Sequence, residues 1–353
     1  MFCFLEVEFN KKDIMTKLFG LDIGSDTIKV VQLEKEGNSF HLVAAGIVKT
    51  PVENLSFEID KDIVTVAEAI KRLKNEAKIK TKAVVTALSE KDIFTQLIEM
   101  PKMKEEELEQ AIPWEAENLI PNPISEVNLD WEIIEDEESA KQNKIKVFLV
   151  AAPLDLIENY LRVLNLADLQ PVSLETELLA TSRCLKPIFG EGNFLIGQIG
   201  VKSLDIAIIS RGNPFLTSRL PTAGEAITRA VSSSLSLDIQ TAEEYKKTYG
   251  LSSELEGKVA GAVEPILAGI TSEIKKAIRF YEEKGGPPLK SMVISGGTAL
   301  LPGMVEYLAK SLGLEVQIAD PFSIIAVTQP SLQSFKSISP LFTVACGLAM
   351  KEG

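Results

Sequence analysis

The feature of this sequence that most constrains its fold is a pattern that occurs twice. Near the start of the chain, a buried strand ends at Gly24 and a second strand begins at Thr27. Roughly 175 residues later the same strand–glycine–strand arrangement returns around Gly200, and helices follow it again. Because internal repetition indicates two copies of one architecture, the sequence predicts an α/β chain with two related lobes.

The segment between the two copies has the pattern of a separate small unit. Its order is strand, helix, strand, strand and helix over about 75 residues, a normal size for an inserted module. The acidic stretch from Glu135 to Asn143 is expected to be a solvated hairpin loop. Trp114 and Trp131 also fall here. They are expected to be core residues, with the floor of a peptide groove as the alternative.

The predicted division of the chain has six parts. Residues 1–17 form an N-terminal extension, 18–88 the first part of one lobe, 89–168 the inserted α+β subdomain and 169–189 the second part of that lobe. Residues 190–334 form the second lobe, and 335–353 form a C-terminal helix that returns to the first. Within the second lobe, a long helix is expected from about Leu255 to Glu283.

Charge and composition exclude several classes of function. The net charge of −13 repels phosphate backbones and anionic lipid headgroups, so neither nucleic acid nor direct membrane insertion is expected. His41 is the only histidine and the three cysteines are far apart, which disfavours histidine metal sites, catalytic triads and disulfides and suits the cytoplasm. A basic run is expected to be a solvated helix face: Lys71, Arg72, Lys74, Lys78, Lys80 and Lys82.

The first glycine turn, from Leu21 to Lys29, has the residues of a phosphate-binding loop. A buried strand brings Asp22 to its end, and Gly24 lets the backbone approach a ligand closely. Ser25 and the amides after it can donate hydrogen bonds to phosphate oxygens, while Lys29 adds positive charge. Asp22 can hold the water shell of a Mg²⁺ ion. An ordinary tight hairpin is the alternative interpretation.

Two further turns have related features. Around Gly200, a second strand–turn–strand places backbone amides where they could bind a phosphate chain from the other side, with a simple hairpin again as the alternative. Later, a buried strand enters Gly296-Gly297, which brings the backbone close to a flat or bulky group. Taken together, the three turns predict a site for a phosphate chain and a flat or bulky group, which no single turn would establish.

In this order, the three segments resemble the two phosphate loops and the adenosine loop of the actin-like ATPase superfamily. The helix from Ala242 to Lys246 is similar to the superfamily's AExxK helix, whose Glu and Lys approach the ribose. The resemblance implies an actin-like (ribonuclease H-like) two-lobe α/β fold with a small inserted α+β subdomain, and ATP and Mg²⁺ as cofactors. The cofactor-binding residues that it implies are Gly24, Ser25, Lys29, Gly200, Val201, Lys202, Ser203, Glu243, Lys246, Gly296, Gly297 and Thr298.

Within the superfamily, the chain is most similar to the PilM family of type IV pilus proteins. The resemblance runs from about Leu18 to Met350 and includes Leu301-Pro302-Gly303. The inserted module falls where this family and its division relative FtsA carry a distinctive subdomain. The resemblance implies a cytoplasmic scaffold, recruited to the inner membrane, that binds the N-terminal tail of PilN between the module and the first lobe. It leaves self-association open.

Two positions depart from the pattern of an active ATPase. Gln198 stands where such enzymes usually have Asp, and a neutral amide cannot position Mg²⁺ or an attacking water as a carboxylate can. Asp26 brings negative charge near the phosphates. The catalytic residues that the resemblance implies are Asp22, which would also hold Mg²⁺ through water, and Glu175, in the position of the water-orienting residue. For Glu175, a simple acid at a helix start is the alternative.

These departures predict nucleotide binding with weak or absent hydrolysis. Two other functions remain as alternatives at this point. One is a cell-division protein of the FtsA type, although the chain stops after the connecting helix and shows no basic amphipathic anchor. The other is a sugar or acetate kinase of the same fold, although no acid is evident that would face a substrate hydroxyl.

Overall fold

The structure is a computed structural model that describes residues 18–37, 39–53, 59–134 and 141–351. The chain divides into two compact units: unit 1 is Met1–Ala180 with Ala345–Gly353, and unit 2 is Thr181–Val344. The sequence placed the two boundaries after residues 189 and 334, and the finer six-part division stays a prediction. The predicted N-terminal extension, 1–17, and residues 135–140 of the predicted acidic loop lie outside the described residues.

The elements of the described residues are as follows. The strands are β1 (Phe19–Ile23), β2 (Thr27–Glu36), β3 (Ser39–Lys49), β4 (Ala83–Leu88), β5 (Phe94–Pro101), β6 (Val127–Ile134), β7 (Lys144–Pro153), β8 (Gln170–Thr176), β9 (Phe194–Ile199), β10 (Leu204–Ser210), β11 (Asn213–Leu220), β12 (Ser291–Ser295), β13 (Glu315–Ile318) and β14 (Ile325–Ala326). The α-helices are α1 (Asp60–Glu76), α2 (Glu105–Glu117), α3 (Leu154–Leu166), α4 (Glu177–Phe189), α5 (Gly224–Leu235), α6 (Ile239–Tyr249), α7 (Lys258–Glu283), α8 (Met304–Leu312) and α9 (Thr343–Ala349). Short 3₁₀ segments are Ile124–Glu126, Glu254–Gly257, Gly297–Leu300, Pro321–Ser323 and Pro330–Phe342.

The main sheet of unit 1 contains the strand order β3-β2-β1-β4-β8. β1, β2 and β3 form an antiparallel meander, and β4 and β8 continue the sheet parallel to β1. All five residues of β1 are buried, as expected for a strand covered on both faces. α1 buries Ile63, Val66, Ile70 and Leu73, whose spacing of three and four residues defines one helix face.

The inserted module has its own antiparallel sheet in the order β5-β7-β6. Residues of β7 alternate between two cores because successive side chains of a strand point to opposite faces. Val147 and Leu149 pack in the module's core with Ile112 of α2. Phe148 and Val150 join the larger core that contains α1, α3 and the main sheet of unit 1. One face of β7 therefore belongs to the module's own core, and the other face joins the core of the main sheet.

The two tryptophans of the module differ in burial. Trp131 is partly buried against the module's core, but Trp114 is 74% exposed, so the expectation that it is a core residue is wrong. The buried face of α2 is formed by Leu108, Ile112 and Ala116 at four-residue intervals. Trp114 is two residues from Ile112 and so points to the opposite side of the helix.

The main sheet of unit 2 has the order β11-β10-β9-β12-β13. Here too an antiparallel meander, β9 to β11, is followed by two strands parallel to its first strand. Strand order and direction thus repeat those of unit 1, which explains the repeat in the sequence. α7 begins at Lys258 rather than Leu255, because Leu255 and Glu256 have left-handed φ values of 51° and 57°.

The C-terminal helix also begins later than the sequence suggested. Residues 330–342 are mostly 3₁₀-helical, and the α-helix starts at Thr343. Pro330 and Pro340 lie within this stretch, and a proline has no amide hydrogen to donate to a helical hydrogen bond.

Two glycines allow α9 to pack directly on backbone. A Cβ on Gly20 of β1 would lie 2.2 Å from the carbonyl oxygen of Ala345, and a Cβ on Gly347 would lie 1.8 Å from that of Ala180. Neither oxygen can move like the end of a flexible side chain. The close approach of α9 to β1 and to the start of α4 therefore requires glycine at both positions.

We expect Gly347→Ala to lower the free energy of unfolding by about 1–3 kcal/mol or more, because the methyl group overlaps backbone. Gly261→Ala in α7 is the matched control, since a Cβ there has no atom within 4 Å. This control should raise stability by about 0.5–1 kcal/mol through the better helix propensity of alanine. Thermal unfolding of the two variants measures both effects, and an unchanged melting temperature for Gly347→Ala would contradict the packing described here.

Candidate functional site

The turn after β9 is fixed by the carbonyl group of Gly200. The turn closes through a hydrogen bond from the Gly200 amide to the Ser203 carbonyl at 2.9 Å. The Gly200 carbonyl oxygen then accepts the amide of Gly224 at 3.2 Å and the hydroxyl of Thr298 at 2.8 Å. One carbonyl thus joins the predicted phosphate turn, the start of α5 and the predicted adenosine turn.

The double-glycine turn after β12 lies beside the turn of Gly200. Ser295 pairs with Gln198 in the parallel ladder of β12 and β9, so the two strands end together. Gly296 has φ 85°, and a Cβ on it would lie 2.5 Å from the Ile199 carbonyl oxygen. Only glycine fits this position without strain. Gly297 differs, because a Cβ on it would have no atom within 4 Å and would point into open space.

The acid and the lysine of α6 form the polar side of the same cluster. Lys246 Nζ lies 2.6 Å from Glu243 Oε2 and donates to the Thr228 hydroxyl at 2.9 Å and the Gly224 carbonyl at 3.2 Å. The Lys246 side chain is only 8% exposed, so these contacts compensate for burying its charge. Burial raises the pKa of Glu243, but hydrogen bonds from Lys246 and Thr228 outweigh it and hold the pKa below its ordinary value.

Unit 2 therefore brings together most of the residues implied for the cofactor. Gly200, Gly296, Thr298 and Lys246 are linked through direct hydrogen bonds or packing, with Gly224 between them. Sequence reasoning did not identify Gly224 and Thr228. A Cβ on Gly224 would lie 2.5 Å from the Thr298 hydroxyl oxygen, so glycine is required there. The only signal in the sequence is a glycine at the start of a helix, which is too common to be noticed.

The Gly24 turn of unit 1 is built in the same way. Its amide donates to the Thr27 carbonyl at 3.1 Å, and its carbonyl accepts the Thr50 hydroxyl at 2.6 Å. Asp22 and Lys29 face each other across β1 and β2 and form a buried ion pair of 2.8 Å. A charged pair thus lies directly below the turn, where it can respond to a phosphate or a cation.

The two positions relevant to hydrolysis have structural partners. Glu175 lies in β8 and is completely buried, with Lys351 Nζ 3.5 Å from its Oε2. Lys351 also donates to the Ser173 hydroxyl at 2.6 Å. Gln198 accepts a hydrogen bond from the Thr181 hydroxyl at 3.2 Å. Within the described ranges, no group of three or more His, Cys, Asp or Glu side chains has the arrangement of a metal site.

Two sheets of identical strand order, each with a glycine turn after its first strand, define an actin-like α/β fold with an inserted α+β subdomain. A family model described as Type IV pilus assembly protein PilM matches residues 20–353, so the chain belongs to this family. Among the described residues, none of the helices combines the length and apolar character of a membrane span.

Comparison with known proteins gives the same result. The structure is similar to one described as the PilM-PilN type IV pilus biogenesis complex, with 30% sequence identity, a TM-score of 0.83, and 95% of this chain and 98% of that chain covered. MreB 5 of Spiroplasma citri bound to AMPPNP shares the fold at 15% identity, 94% coverage of each chain and a TM-score of 0.52. The cell division protein FtsA of Streptococcus pneumoniae is 20% identical over 91% of this chain and 79% of its own length.

The Glu243 contacts lead to a pH-dependent prediction. Because the folded-state pKa lies below the ordinary value of 4.5, the carboxylate stabilises the fold above about pH 4.5, and this stability is lost as pH falls through the folded-state pKa. Glu243→Gln should therefore destabilise the chain at neutral pH, and its difference from wild type should shrink in acid.

Denaturant unfolding at several pH values measures this difference. Glu244→Gln changes an exposed acid of the same helix and should have little effect at any pH. A Glu243→Gln deficit that is equally large at neutral and acidic pH would show that the carboxylate charge is not what stabilises the cluster.

Proposed function

We propose that this chain is a nucleotide-binding scaffold of a type IV pilus assembly complex that holds the N-terminal tail of a PilN-like inner-membrane protein. The observation that carries the proposal is the structural similarity to a PilM-PilN complex over nearly the whole of both chains. The tail would recruit the chain from the cytoplasm to the inner face of the membrane. Nucleotide and tail are proposed to bind at separate places, because different residues supply the chemistry for each.

The nucleotide is proposed to be ATP with Mg²⁺. Gly296, Gly297 and Thr298 would border the adenosine, and Glu243 and Lys246 would approach the ribose. The turn from Gly200 through Val201 and Lys202 to Ser203 would bind phosphate, and a second phosphate-binding turn is proposed at Gly24, Ser25 and Lys29. The buried pair of Asp22 and Lys29 fits this chemistry, since a carboxylate can hold the water shell of Mg²⁺ while the ammonium attracts phosphate.

Binding rather than turnover is the proposed role of the nucleotide. Gln198 lacks the charge needed to orient Mg²⁺ or water. The carboxylate of Glu175 is buried and lies near the charge of Lys351, so it is a poor general base for water. Catalytic roles for Asp22 and Glu175 stay predictions.

We expect Gly297→Ala to weaken ATP binding by about tenfold or more, since the methyl group projects into the open space beside the adenosine turn. The fold should remain intact, because the methyl group meets no protein atom. Isothermal titration calorimetry with ATP and Mg²⁺ measures the affinity. Gly269→Ala, which adds a methyl group to α7 in similarly open space, is the control. Wild-type affinity in Gly297→Ala would show that the nucleoside does not contact this turn.

The tail is proposed to bind in a cavity of unit 1 at the start of α3, lined by residues of the predicted inserted subdomain. Its volume is about 510 Å³, large enough for several side chains of an extended peptide. Its lining carries three acids and two asparagines, which suit a basic side chain and backbone amides of a peptide. The lining residues are Lys91, Asp92, Asn122, Ser125, Glu126, Pro153, Leu154, Asp155, Leu156 and Asn159.

A synthetic peptide of the PilN-like tail should bind the wild-type chain in the micromolar range by calorimetry. Leu154→Glu should weaken this binding by about tenfold or more, because it replaces an apolar contact in the cavity with a charge. Leu166→Glu is the matched control at the other end of the same helix. Both leucines are exposed, at 41% and 51%, so neither change should unfold the chain. Equal affinity of the two variants would exclude this cavity as the tail site.

A further inference from the structure

A strongly basic segment interrupts the otherwise acidic chain. Six basic residues and one acid fall within residues 71–82, whereas the whole chain has a net charge of −13. We call this set the basic cluster; it consists of Lys71, Arg72, Lys74, Lys78, Lys80 and Lys82. An asymmetry of this kind indicates a local partner of opposite charge rather than a property of the whole surface.

The basic cluster spans the end of α1 and the segment that leads into β4, so only part of it is the helix face that the sequence predicted. α1 ends at Glu76, Lys78 takes a left-handed conformation with φ 58°, and the chain turns into β4. Leu73 and Ile79 are buried on the inner side of this turn, so the charged side chains are left outside. Asp168, just beyond the end of α3, lies near three of these residues. The hydrogen bond from Lys82, with the charges of Lys71 and Lys74 nearby, holds the pKa of Asp168 below its usual range.

Most of this positive charge is not neutralised by the protein. Lys82 pairs with Asp168 at 2.7 Å. Lys71, Arg72, Lys78 and Lys80 are exposed, and none of the four has an ion-pair partner among the residues that the structure describes. All four are therefore exposed positive charges in this stretch of the chain.

The basic cluster is separate from the two sites proposed above. It lies at the amino-terminal ends of β4 and β8, whereas Glu175 is at the carboxyl end of β8. The tail cavity is at the first turn of α3 and Asp168 just beyond its last. A helix of 13 residues rising 1.5 Å each places the two regions about 20 Å apart.

We infer that the basic cluster is a contact surface for the anionic headgroups of the membrane that carries the bound tail. This inference rests on the proposed tail binding, which holds the chain close to a lipid surface. Nucleic acid is disfavoured as the occupant because residues 71–82 contain no aromatic side chain on which bases could stack. Each basic residue near an anionic leaflet contributes to electrostatic attraction, and the contributions of neighbouring residues add.

The geometry also sets a minimum length for the tail. If the basic cluster touches the headgroups and α3 runs along the membrane normal, the cavity lies about 20 Å further from the membrane, and a tail needs about six extended residues to reach it. A tail anchored through fewer residues should bind in solution but fail to bind when it is attached to a vesicle.

The test uses the full chain and vesicles that display a lipid-anchored tail peptide. The vesicles are made of phosphatidylcholine alone or of phosphatidylcholine mixed with phosphatidylglycerol, and binding is measured by co-sedimentation. The variant is Lys71→Gln, Arg72→Gln, Lys78→Gln and Lys80→Gln combined. The matched control makes the same change in charge at four exposed lysines of unit 2: Lys275→Gln, Lys290→Gln, Lys310→Gln and Lys336→Gln.

The wild-type chain should bind the anionic vesicles more tightly than the neutral ones. The affinity of the cluster variant for the anionic vesicles should fall about tenfold or more, while that of the control should change little. The preference should also fall as salt is raised. Calorimetry with soluble tail peptide should give the same affinity for all three proteins. If the wild-type chain does not bind the soluble tail peptide, the proposed tail function itself is refuted. Intact peptide binding without a vesicle preference, an equal loss in the control, or binding of a short RNA in place of the vesicles would overturn the inference.

Discussion

The organisation of unit 2 depends on one backbone oxygen, the carbonyl of Gly200. It accepts one hydrogen bond from the start of α5 and one from Thr298, in a turn almost 100 residues further along the chain. Both donors approach closely because Gly224 and Gly296 have no side chains there. Lys246 completes the arrangement by donating to the Gly224 carbonyl. The two turns of unit 2 that are proposed to bind nucleotide are therefore held by one another, which reduces the ordering that binding requires.

Much of this arrangement was predictable from the sequence because it depends on individual glycines that follow buried strands. A glycine after a buried strand and its recurrence later in the chain indicated two related sheets, and the strand order of each sheet confirms that duplication. The Glu243–Lys246 pair was found only through the family resemblance, because an acid and a lysine three residues apart are common on helices. Gly224 and Thr228 were missed because their role is to receive contacts from other parts of the chain, and the sequence does not show which parts those are.

Some predictions were wrong for a similar reason. Trp114 was expected to be buried because large aromatic residues usually are, but the helix face is set by Leu108, Ile112 and Ala116. Likewise, the long helix was predicted to begin at about Leu255, whereas the backbone there is left-handed. In both cases a residue preference was overridden by the geometry of the whole element. Functional glycines are easier to predict, because the absence of a side chain directly indicates a close backbone approach or a left-handed backbone.

The shared core around β7 has a mechanical consequence for a protein that holds the end of a membrane-anchored partner. Phe148 and Val150 fix the module to the main sheet of unit 1, and the first turn of α3 follows directly from the same strand. A pulling force on a peptide bound there would be transmitted through tightly packed apolar side chains rather than through a flexible linker. The module and the main sheet of unit 1 would then move as one rigid body when the partner moves.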